Sequence, residues 1–370
     1  MSRNQLSESK LLENILEYTD RMGIYGNYQA KKQILLACVS TFNLDPDYTL
    51  SVILEGEAGI GKTSLVKSVL SLFPEEKIIQ RSRMTPKALE YMEDDLDRKI
   101  VFIEELSGNE GRYSTKIAIS EHCLKLETVE SSQGAHQTRT KEISAFGTSF
   151  ITTTTQRAFD KELESRIVRI YPECTPEYRS HVIRKILEKA ELCEDKGSIK
   201  DISFNNRDAI AALTTYKVLI PFATELQSEE TLKLTFRDVN MILANIQAHT
   251  LLYQEQREKI NGYLEACLDD YNKIKDVLHK MLNPTSTDHI KIESAFGNDE
   301  FTVNQLMDIY EVESSQSYNV KDRLIENSII KPARRGKYTL NYIELPDIEV
   351  SPVIPAIPAK LKDAQENQIS

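Results

Sequence analysis

The sequence has few cysteines and histidines, and neither residue type forms a metal-binding pattern. Its five cysteines are widely scattered without a Cys-x-x-Cys pair, and its six histidines form no cluster. Disulfide frameworks and zinc sites depend on such paired spacing. We therefore expect reduced thiols and neither a disulfide scaffold nor a zinc site.

Long hydrophobic runs are also missing. The longest apolar run, Ile34–Val39, is far shorter than the ~20 residues that a helix needs to cross a bilayer. The first residues, MSRNQLSESK, lack the apolar core of a signal peptide. We expect a cytoplasmic protein without membrane contact, in a prokaryotic cell or a virus-infected cell.

Positive charge is scarce relative to negative charge. Lysine and arginine number 46 against 57 aspartates and glutamates, which gives a formal net charge of −11. A protein coated in basic residues is thereby excluded, so any DNA contact must come from local patches or from the inside of an oligomer. The length of 370 residues is enough for two or three domains.

One stretch carries a strong chemical signal: SVILEGEAGIGKTSLVKSVL, from Ser51 to Leu70. An apolar, β-branched run precedes GxxxxGK[ST], and an apolar-periodic segment follows, which predicts a strand, a phosphate-binding loop and a helix. Lys62 is then expected to reach the β- and γ-phosphates of a nucleotide, and the Thr63 hydroxyl to hold Mg²⁺. The predicted nucleotide-binding residues of this stretch are Gly56, Glu57, Ala58, Gly59, Ile60, Gly61, Lys62, Thr63 and Ser64.

Other short apolar runs alternate with helical patterns, which predicts an α/β fold with a parallel sheet whose strand ends share one edge. The predicted strands are Lys77–Gln80, Lys99–Leu106, Ser149–Thr155 and Arg166–Pro172. The predicted helices of this part are Leu11–Tyr18, the second half of Gly23–Phe42, and Thr85–Arg98.

Polar residues at two strand ends are candidates for catalysis. Glu104 and Glu105 end an apolar strand; we expect Glu105 to activate water and Glu104 to contact Mg²⁺. A threonine of the run Thr153–Thr155 is expected to orient the attacking water, although spacing does not say which one, and β-propensity alone would also explain these threonines.

An arginine after the threonine strand is a candidate for stabilising phosphate charge on a neighbouring subunit. Arg166 is our choice as such an arginine finger. The alternative is an internal ion pair with Glu162 or Glu164.

A β-hairpin is predicted between the second and third of these strands, over Leu124–Phe146, with SSQGAHQ at its tip. A flexible surface turn is the simpler interpretation. In a ring of subunits, however, such tips would line a channel, and His136 with Lys141 would contact a DNA backbone.

Helical periodicity dominates from Thr175 onward and predicts an all-helical subdomain. The predicted helices are Tyr178–Ala190, Arg207–Ile220, Phe236–Tyr253 and Asp269–Met281, followed by a linker at Asn283–His289. The C-terminal part then predicts two short helices, Phe301–Tyr310 and Ser317–Ser328, and a hairpin over Ile329–Leu340.

The C-terminal part reverses the sign of the charge. Between Tyr318 and Leu340, six lysines and arginines stand against two acids, a local charge of 6 − 2 = +4. A DNA-facing module needs such a patch, and the predicted DNA contacts are Lys321, Arg323, Arg334 and Arg335. The proline-spaced, polar tail after it is expected to be disordered.

The order of phosphate loop, FIEE strand, hairpin, TTTT strand and LESR resembles AAA+ ATPases of the pre-sensor-1 hairpin clade, which contains the minichromosome-maintenance helicases. GIYGNYQAKKQILLAC resembles the start of their ATPase domain, and FRDVNMILANIQAHTLLYQEQRE followed by LDDY is similar to the lid of helicase-like ATPases of phages and mobile elements. The resemblance implies a P-loop parallel-sheet core, a helical lid and a C-terminal winged-helix domain. The implied boundaries are 1–173, 174–285, 286–350 and a tail at 351–370.

The resemblance also assigns roles by position. Glu104 and Glu105 match the Walker B motif, although its usual aspartate is missing, and Thr154, with Thr153 as its rival, matches sensor 1. Arg166 matches the arginine finger and Arg237 the sensor 2 arginine, which in this clade tends to act on a neighbour's nucleotide. Ile24 and Tyr25 are expected near the adenine. The chain looks more compact than the full replicative helicases.

These features together predict an ATP- and Mg²⁺-dependent DNA helicase, or a helicase-like replication protein, assembled as a homo-oligomeric hexameric ring. Two alternatives stay open: a replication initiator or loader that uses ATP as an assembly switch, and a transposition-type ATPase adaptor that forms filaments. Single-stranded or forked DNA, together with duplex DNA held by the winged helix, is the expected partner.

Overall fold

The structure is a computed structural model, and it describes residues 11–84, 89, 96–106, 109–132, 135–155, 161–192, 207–283, 287–297, 299–326 and 329–348. The described α-helices are α1 (Leu11–Arg21), α2 (Tyr28–Ser40), α3 (Lys62–Leu70), α4 (Asn109–Glu121), α5 (Lys161–Glu164), α6 (Pro176–Leu192), α7 (Phe236–Leu252), α8 (Leu268–Asn272), α9 (Lys275–Leu282), α10 (Thr287–Phe296), α11 (Val303–Tyr310) and α12 (Ser314–Glu326).

The described strands form four sheets. They are β1 (Val52–Glu55), β2 (Ile78–Met84), β3 (Ile100–Leu106), β4 (Cys123–Ser132), β5 (Ala135–Ser144), β6 (Ser149–Thr154), β7 (Val168–Ile170), β8 (Lys217–Leu219), β9 (Lys259–Ile260), β10 (Tyr263–Glu265), β11 (Phe301–Thr302), β12 (Ile330–Arg334) and β13 (Lys337–Leu340).

The central sheet is parallel throughout, in the order β2-β3-β6-β1-β7, which confirms the predicted α/β class. The phosphate-loop strand β1 lies between β6 and β7 and is buried along its whole length. Strands buried on both faces carry continuous apolar runs, which explains why they were predictable. One strand is shorter than predicted, because β7 covers Val168–Ile170 only and Arg166 lies in the turn before it.

Apolar clusters cover both faces of this sheet. On one face, Leu54 and Phe102 pack with α3 and with the helices α1, α2 and α7 in one large core. On the other face, Ile53 and Val101 pack with residues of α4 and with the base of the hairpin β4–β5. The hairpin itself is antiparallel from Cys123↔Ser144 to Ser132↔Ala135, close to its predicted bounds.

The region after Thr175 is not all-helical as predicted. The predicted helix Arg207–Ile220 is confirmed only at its start, where residues 207–211 are helical. Its end is wrong, because Lys217–Leu219 forms strand β8, which pairs parallel with β10 in the three-stranded sheet β8-β10-β9. An apolar run this short does not distinguish a helix from a strand by periodicity. The predicted helices α6 and α7 are confirmed.

The predicted helix Asp269–Met281 is divided into α8 and α9. The backbone carbonyl of Lys273, at the break, accepts a hydrogen bond from the buried amino group of Lys32. The same amino group pairs with Asp276 at 2.9 Å, so one lysine of α2 fixes both sides of the break.

Most of the predicted helix Thr85–Arg98 lies outside the described residues. Its last residues form a turn in which Arg98 has a positive φ of 54°. The Arg98 guanidinium donates to the carbonyl of Asn43 at 2.8 Å. The prediction of a helix up to Arg98 is therefore wrong at its C-terminal end.

The C-terminal unit, residues 287–340, is a small sheet β11-β13-β12 covered by α10, α11 and α12 around an apolar core of its own. The predicted helices differ slightly: the first is preceded by β11 and starts at Val303, and the second starts at Ser314. Part of the predicted linker Asn283–His289 is helical, since α10 begins at Thr287. The predicted hairpin is confirmed, with Arg335 and Gly336 at its turn.

An extended segment leads from this unit back to the main core. Asn283 exchanges hydrogen bonds with both backbone groups of Ile343, at 2.9 and 2.7 Å, and the hydroxyl of Tyr271 donates to the carbonyl of Pro346 at 2.7 Å. Leu345 is buried in the main core. Among the described residues, no helix is long and apolar enough to cross a membrane. The predicted disordered tail, 351–370, lies outside the described residues.

Candidate functional site

The glycine-rich loop lies between β1 and α3, at the carboxyl edge of the central sheet. Gly59 and Gly61 adopt positive φ angles of 82° and 86°, a backbone conformation that residues with a Cβ rarely take. Gly61 directly precedes α3, whose first backbone N–H groups have no partner within the helix. The loop therefore has the geometry of an anion-binding helix N-terminus.

Lys62, the first residue of α3, folds back over this loop. Its amino group donates to the carbonyls of Gly56 and Glu57, both at 2.6 Å, and the residue is 8% exposed. Burial lowers the pKa of Lys62. Both acceptors are uncharged carbonyls, so a bound phosphate would give this cation a negatively charged partner.

The threonine strand β6 separates the loop from the acidic strand. Thr154 is the register partner of Glu55, and its carbonyl accepts a hydrogen bond from the backbone N–H of Gly56 at 3.2 Å. The hydroxyl of Thr153 donates to the backbone carbonyl of Glu104 at 2.5 Å. Thr153 thus joins two strands by its side chain, whereas Thr154 borders the loop directly.

Glu104 lies at the same edge, but its carboxylate is already paired. Its Oε1 is 2.7 Å from the amino group of Lys67 in α3, and Gln80 of β2 donates to the same oxygen at 3.3 Å. The hydrogen bond from Lys67 lowers the pKa of Glu104 although burial opposes it. Glu105 is the next residue of β3, in register with Arg83; its side chain lies outside the described part.

A cavity of about 440 Å³ opens beside β7, one strand away from the phosphate loop. This volume is typical of small-molecule sites, which span ~300–1,000 Å³. Arg169 connects the two places, because it lines the cavity and pairs at 2.7 Å with Glu55, the residue before the loop. The cavity is also lined by residues from the start of α2, from the segment after β7 and from α9, including Asn27, Gln33, Glu173 and Lys280.

A left-handed turn shapes one wall of the cavity. Asn27 has a φ of 52°, and its amide accepts from the backbone N–H of Glu173 at 2.6 Å and donates to that residue's carbonyl at 3.4 Å. Ile24 and Tyr25, the predicted adenine neighbours, precede this turn. Their carbonyls accept hydrogen bonds from Lys31 and Tyr178, and the described cavity lining starts at Gly26.

Arg166 and Arg237 come together at the opposite, amino edge of the sheet. Val168, the first residue of β7, pairs in parallel with Val52, the first residue of β1. Arg166 precedes Val168 in the chain, so it lies at the end of the sheet opposite the phosphate loop. Arg237 donates to the hydroxyl of Ser165 at 2.6 Å, next to Arg166 in the chain.

The Arg166 side chain is held within the chain. It donates to the hydroxyl of Ser120 and to the carbonyl of Glu162 at 2.7 Å, and it lies 3.1 Å from the Glu162 carboxylate, which also pairs with Lys116 at 2.6 Å. The internal ion pair considered as the alternative is therefore present with Glu162, whereas Glu164 pairs with Arg169 at 3.5 Å.

The predicted DNA contacts differ in burial and in whether they already have an acidic partner. In the hairpin, His136 is in register with Ser131 and Lys141 is half-buried; the side chain of His136 lies outside the described part. In the C-terminal unit, the cations have acidic partners nearby: Lys321 with Asp322, Arg323 with Asp288, and Arg334 with Glu300. Arg335 is exposed at the hairpin turn.

Sequence reasoning missed Lys67, Gln80 and the cavity wall. Lys67 was detectable, because it lies four residues after Thr63 and so shares a face of α3 with it. Gln80 and the residues that line the cavity were not, since their proximity depends on the order of strands and on a turn of unusual φ.

The residues present fit a nucleotide phosphate and partly fit its metal ion. The loop glycines, the start of α3 and Lys62 form the phosphate site, and Thr63 with Glu104 are the residues that would hold Mg²⁺. A bound Mg²⁺ would neutralise charge on the phosphates. The pairing of Glu104 with Lys67 means that this carboxylate must leave or share its lysine to contact the metal.

The comparisons with known proteins agree with this geometry. A search among curated proteins finds no match to the chain. The family described as the MTBMA_p00010 P-loop domain matches residues 2–189, more than half of the 370 residues. That match includes the phosphate loop, every strand of the central sheet and the hairpin. The chain is a P-loop protein with a parallel α/β core, and it belongs to the MTBMA_p00010 P-loop domain family.

Proposed function

We propose that this protein is an AAA+ ATPase that assembles into a ring, with active sites shared between subunits, and that it moves along DNA as a helicase or helicase-like replication protein. The observation that carries the proposal is the separation of Arg166 and Arg237 from their own phosphate loop. The remaining support comes from the cavity, the hairpin and the C-terminal unit.

ATP would extend from the phosphate loop to the cavity beside β7. Neighbouring strands are ~4.8 Å apart, so one nucleotide spans the distance between the end of β1 and the outer side of β7. Lys62 would exchange the carbonyls of Gly56 and Glu57 for phosphate oxygens. Glu105 would take the proton of the attacking water, and Thr154, which borders the loop, would orient that water.

Completion of the site requires a second subunit. Arg166 and Arg237 lie at the amino edge of the sheet, whereas the phosphate loop lies at the carboxyl edge. An arginine that stabilises the charge of the transition state must contact the phosphates. These arginines would therefore act on the nucleotide of a neighbouring copy, and Arg166 would leave Glu162 to do so.

DNA contact would use the hairpin β4–β5 and the C-terminal unit. The hairpin is inserted between the acidic strand and the threonine strand, and each of its strands is ten residues long. The C-terminal unit has the order helix, strand, two helices and two strands, which supports a winged-helix domain with α12 as its recognition helix and Arg334 and Arg335 on its wing.

We keep the proposed units 1–173, 174–285 and 286–350, with one qualification from the packing. Residues of α7 and α9 share the large apolar core with α2 and β1. The proposed lid, 174–285, is thus tightly joined to the ATPase core, and it contains a small sheet as well as helices.

The test is imaging of the full chain with a non-hydrolysable ATP analogue and forked DNA, combined with ATPase and strand-displacement assays. Closed rings, DNA-stimulated turnover and strand displacement are expected, with Lys62→Ala as the inactive control. Open filaments on duplex DNA would support the adaptor instead, and tight duplex binding without unwinding would support the initiator. A monomer under these conditions would overturn the shared site.

A further inference from the structure

A chain of buried amides runs from α7 to the wall of the cavity. Asn245, fully buried in α7, donates from its side-chain nitrogen to the backbone carbonyl of Met241 at 2.8 Å. Its side-chain oxygen accepts from the Nε2 of Gln33 at 2.9 Å. Gln33 lies on α2 and lines the cavity together with Met281, whose sulfur is 3.6 Å from the Asn245 nitrogen.

These contacts fix the orientation of both amides. A backbone carbonyl only accepts hydrogen bonds, so the Asn245 atom that faces Met241 must be the nitrogen. The other atom of that amide is then an oxygen, which requires a donor, and the Gln33 atom that faces it must be Nε2. The remaining Gln33 atom is therefore Oε1, an acceptor.

This oxygen is buried and has no hydrogen-bond partner within the described part of the chain. Gln33 is only 3% exposed, so bulk water does not solvate its amide freely. A buried acceptor without a donor is destabilising, and nearly all such groups in proteins find a partner. Because Gln33 lines the cavity, a molecule bound there could supply this donor.

We infer that Gln33 selects adenine over guanine by accepting a hydrogen bond from the exocyclic amino group of a base in this cavity. Adenine carries an amino group at its six position, where guanine carries a carbonyl oxygen that would face Oε1 as a second acceptor. The inference rests on the proposed nucleotide function and adds the residue that determines which purine is used.

The amide of Gln33 cannot readily turn to accommodate guanine. A rotated amide would place its oxygen against the Asn245 oxygen and would lose the 2.9 Å hydrogen bond. Asn245 cannot rotate in compensation without losing Met241. The discrimination is thus built into two helices and does not depend on a loop.

The experiment measures binding of ATP, GTP and purine riboside triphosphate, which lacks the amino group, to the full chain with Mg²⁺ by calorimetry. We expect ATP to bind roughly tenfold more tightly than either analogue, as expected when a buried acceptor loses its donor. Gln33→Met should weaken ATP binding and abolish the difference between ATP and purine riboside triphosphate. Gln227→Met, at an exposed glutamine that does not line the cavity, is the matched control and should keep the wild-type preference.

The outcomes separate this inference from the proposed function. Equal binding of ATP and purine riboside triphosphate by the wild-type chain would overturn the inference and leave a nucleotide site in place; a water molecule on Oε1 would give this result. Absence of binding of any triphosphate would overturn the proposed function and the inference together. The wild-type comparison needs no variant, so a Gln33→Met chain that does not fold leaves the test intact.

Discussion

The two edges of the central sheet differ in what they hold and in how their charged groups are satisfied. The carboxyl edge has the phosphate loop, the threonines of β6 and Glu104, and its lysines Lys62 and Lys67 pair within that edge. The amino edge has Arg166 and Arg237, which contact Ser120, Glu162 and Ser165. One edge has the geometry of a phosphate site, whereas the other holds two arginines at the opposite end of the strands from the phosphate loop of the same chain. This difference is the basis of the proposed site shared between neighbouring chains.

The most extensive expected effect comes from a change at the carboxyl edge, because a chain that binds nucleotide poorly loses both binding and turnover. Lys62→Ala removes the only charge that projects over the loop from the start of α3, and loss of a buried charged donor lowers affinity by roughly 100-fold or more. Nucleotide binding should fall accordingly in a calorimetric titration, with folding unchanged. Lys185→Ala, at a half-exposed lysine paired with Glu188 on α6, is the control and should bind as the wild type does. Unaltered affinity in Lys62→Ala would place the nucleotide elsewhere.

The second prediction breaks the amino edge and leaves the other intact. Arg166→Ala should bind nucleotide normally while turnover falls by about 10³-fold, the size of effect typical of an arginine finger. Binding and steady-state hydrolysis are measured on the same sample. Arg184→Ala, at an exposed arginine of α6, should change neither.

A mixing experiment sharpens this second prediction. Combining Lys62→Ala with Arg166→Ala chains should restore part of the activity, because an intact loop of one chain then meets an intact arginine of the other. Recovery of activity on mixing is expected only for shared sites. Assembled rings that are as inactive as the separate variants would contradict the shared site. They would mean that Arg166 acts within its own chain, through its ion pair with Glu162.

The carboxyl edge was largely predictable from sequence, and the amino edge was predictable only in part. The loop, β1, β3 and β6 follow from apolar runs and from a motif with fixed spacing, because each of these signals is local. Arg166 was identified by its position after the threonine strand. Its contact with Ser120, and the pairing of Lys116 with its partner Glu162, depend on how α4 packs. Such contacts between distant segments have no local signal.

Two failures have the same physical origin. The strand β8 was predicted as part of a helix because KVLI is short and apolar, and its strand conformation comes from pairing with β10 almost fifty residues later. The cavity was not predicted at all, because it depends on the left-handed backbone of Asn27 and on its bonds to Glu173. In both cases tertiary contacts decide the local structure.

A smaller effect is expected for Lys67, which pairs with a carboxylate, whereas Lys62 pairs with backbone carbonyls. Lys67 holds Glu104, so it competes with Mg²⁺ for that carboxylate. Exposed or half-exposed ion pairs contribute 0.2–1 kcal/mol, and Lys67→Met should therefore lower the Mg²⁺ concentration for half-maximal nucleotide binding by only about two- to fivefold. Lys67→Arg keeps the charge and should behave as the wild type does. A higher Mg²⁺ requirement in Lys67→Met would show instead that Lys67 prepares Glu104 for the metal.

The smallest effect concerns the helix that carries Arg237 to the amino edge. The far end of α7 is anchored by His249, which is fully buried, stacked on Tyr253 and 2.6 Å from the carboxylate of Asp270. Arg257 donates to both oxygens of the same carboxylate, at 2.7 and 2.6 Å. Burial lowers the pKa of His249, although Asp270 opposes this.

The sign of the pH dependence follows from these contacts. The unfolded chain takes up a proton on His249 near pH 6.5, whereas the folded chain keeps the ring neutral, so stability falls as the pH drops below about 6.5. Burial would raise the pKa of Asp270, but hydrogen bonds from His249 and Arg257 lower it to about 2, so its contribution is complete above pH ~4 and is lost only toward pH 2.

Asp270 therefore contributes little to the change in stability between pH 6.5 and 4.5, whereas Glu265, whose pKa burial raises, also titrates there. Comparison with a histidine variant removes the contributions of such other groups. His279 and His289, whose pKa values burial also lowers, contribute in the same direction.

The contribution of His249 to the pH dependence of stability is the difference between the wild-type curve and the curve of a His249 variant. Urea unfolding midpoints measured from pH 7.5 to pH 4.5 should fall for the wild-type chain and fall less for His249→Gln, which keeps a donor for Asp270 but does not titrate. Parallel curves would mean that His249 has the same pKa in the folded and unfolded chains. A curve that falls more steeply for His249→Gln than for the wild type would mean that the folded chain protonates His249 and pairs it with Asp270 as a cation. In that case the anchor of α7 would gain strength in acid, and the position of Arg237 would be insensitive to pH over this range.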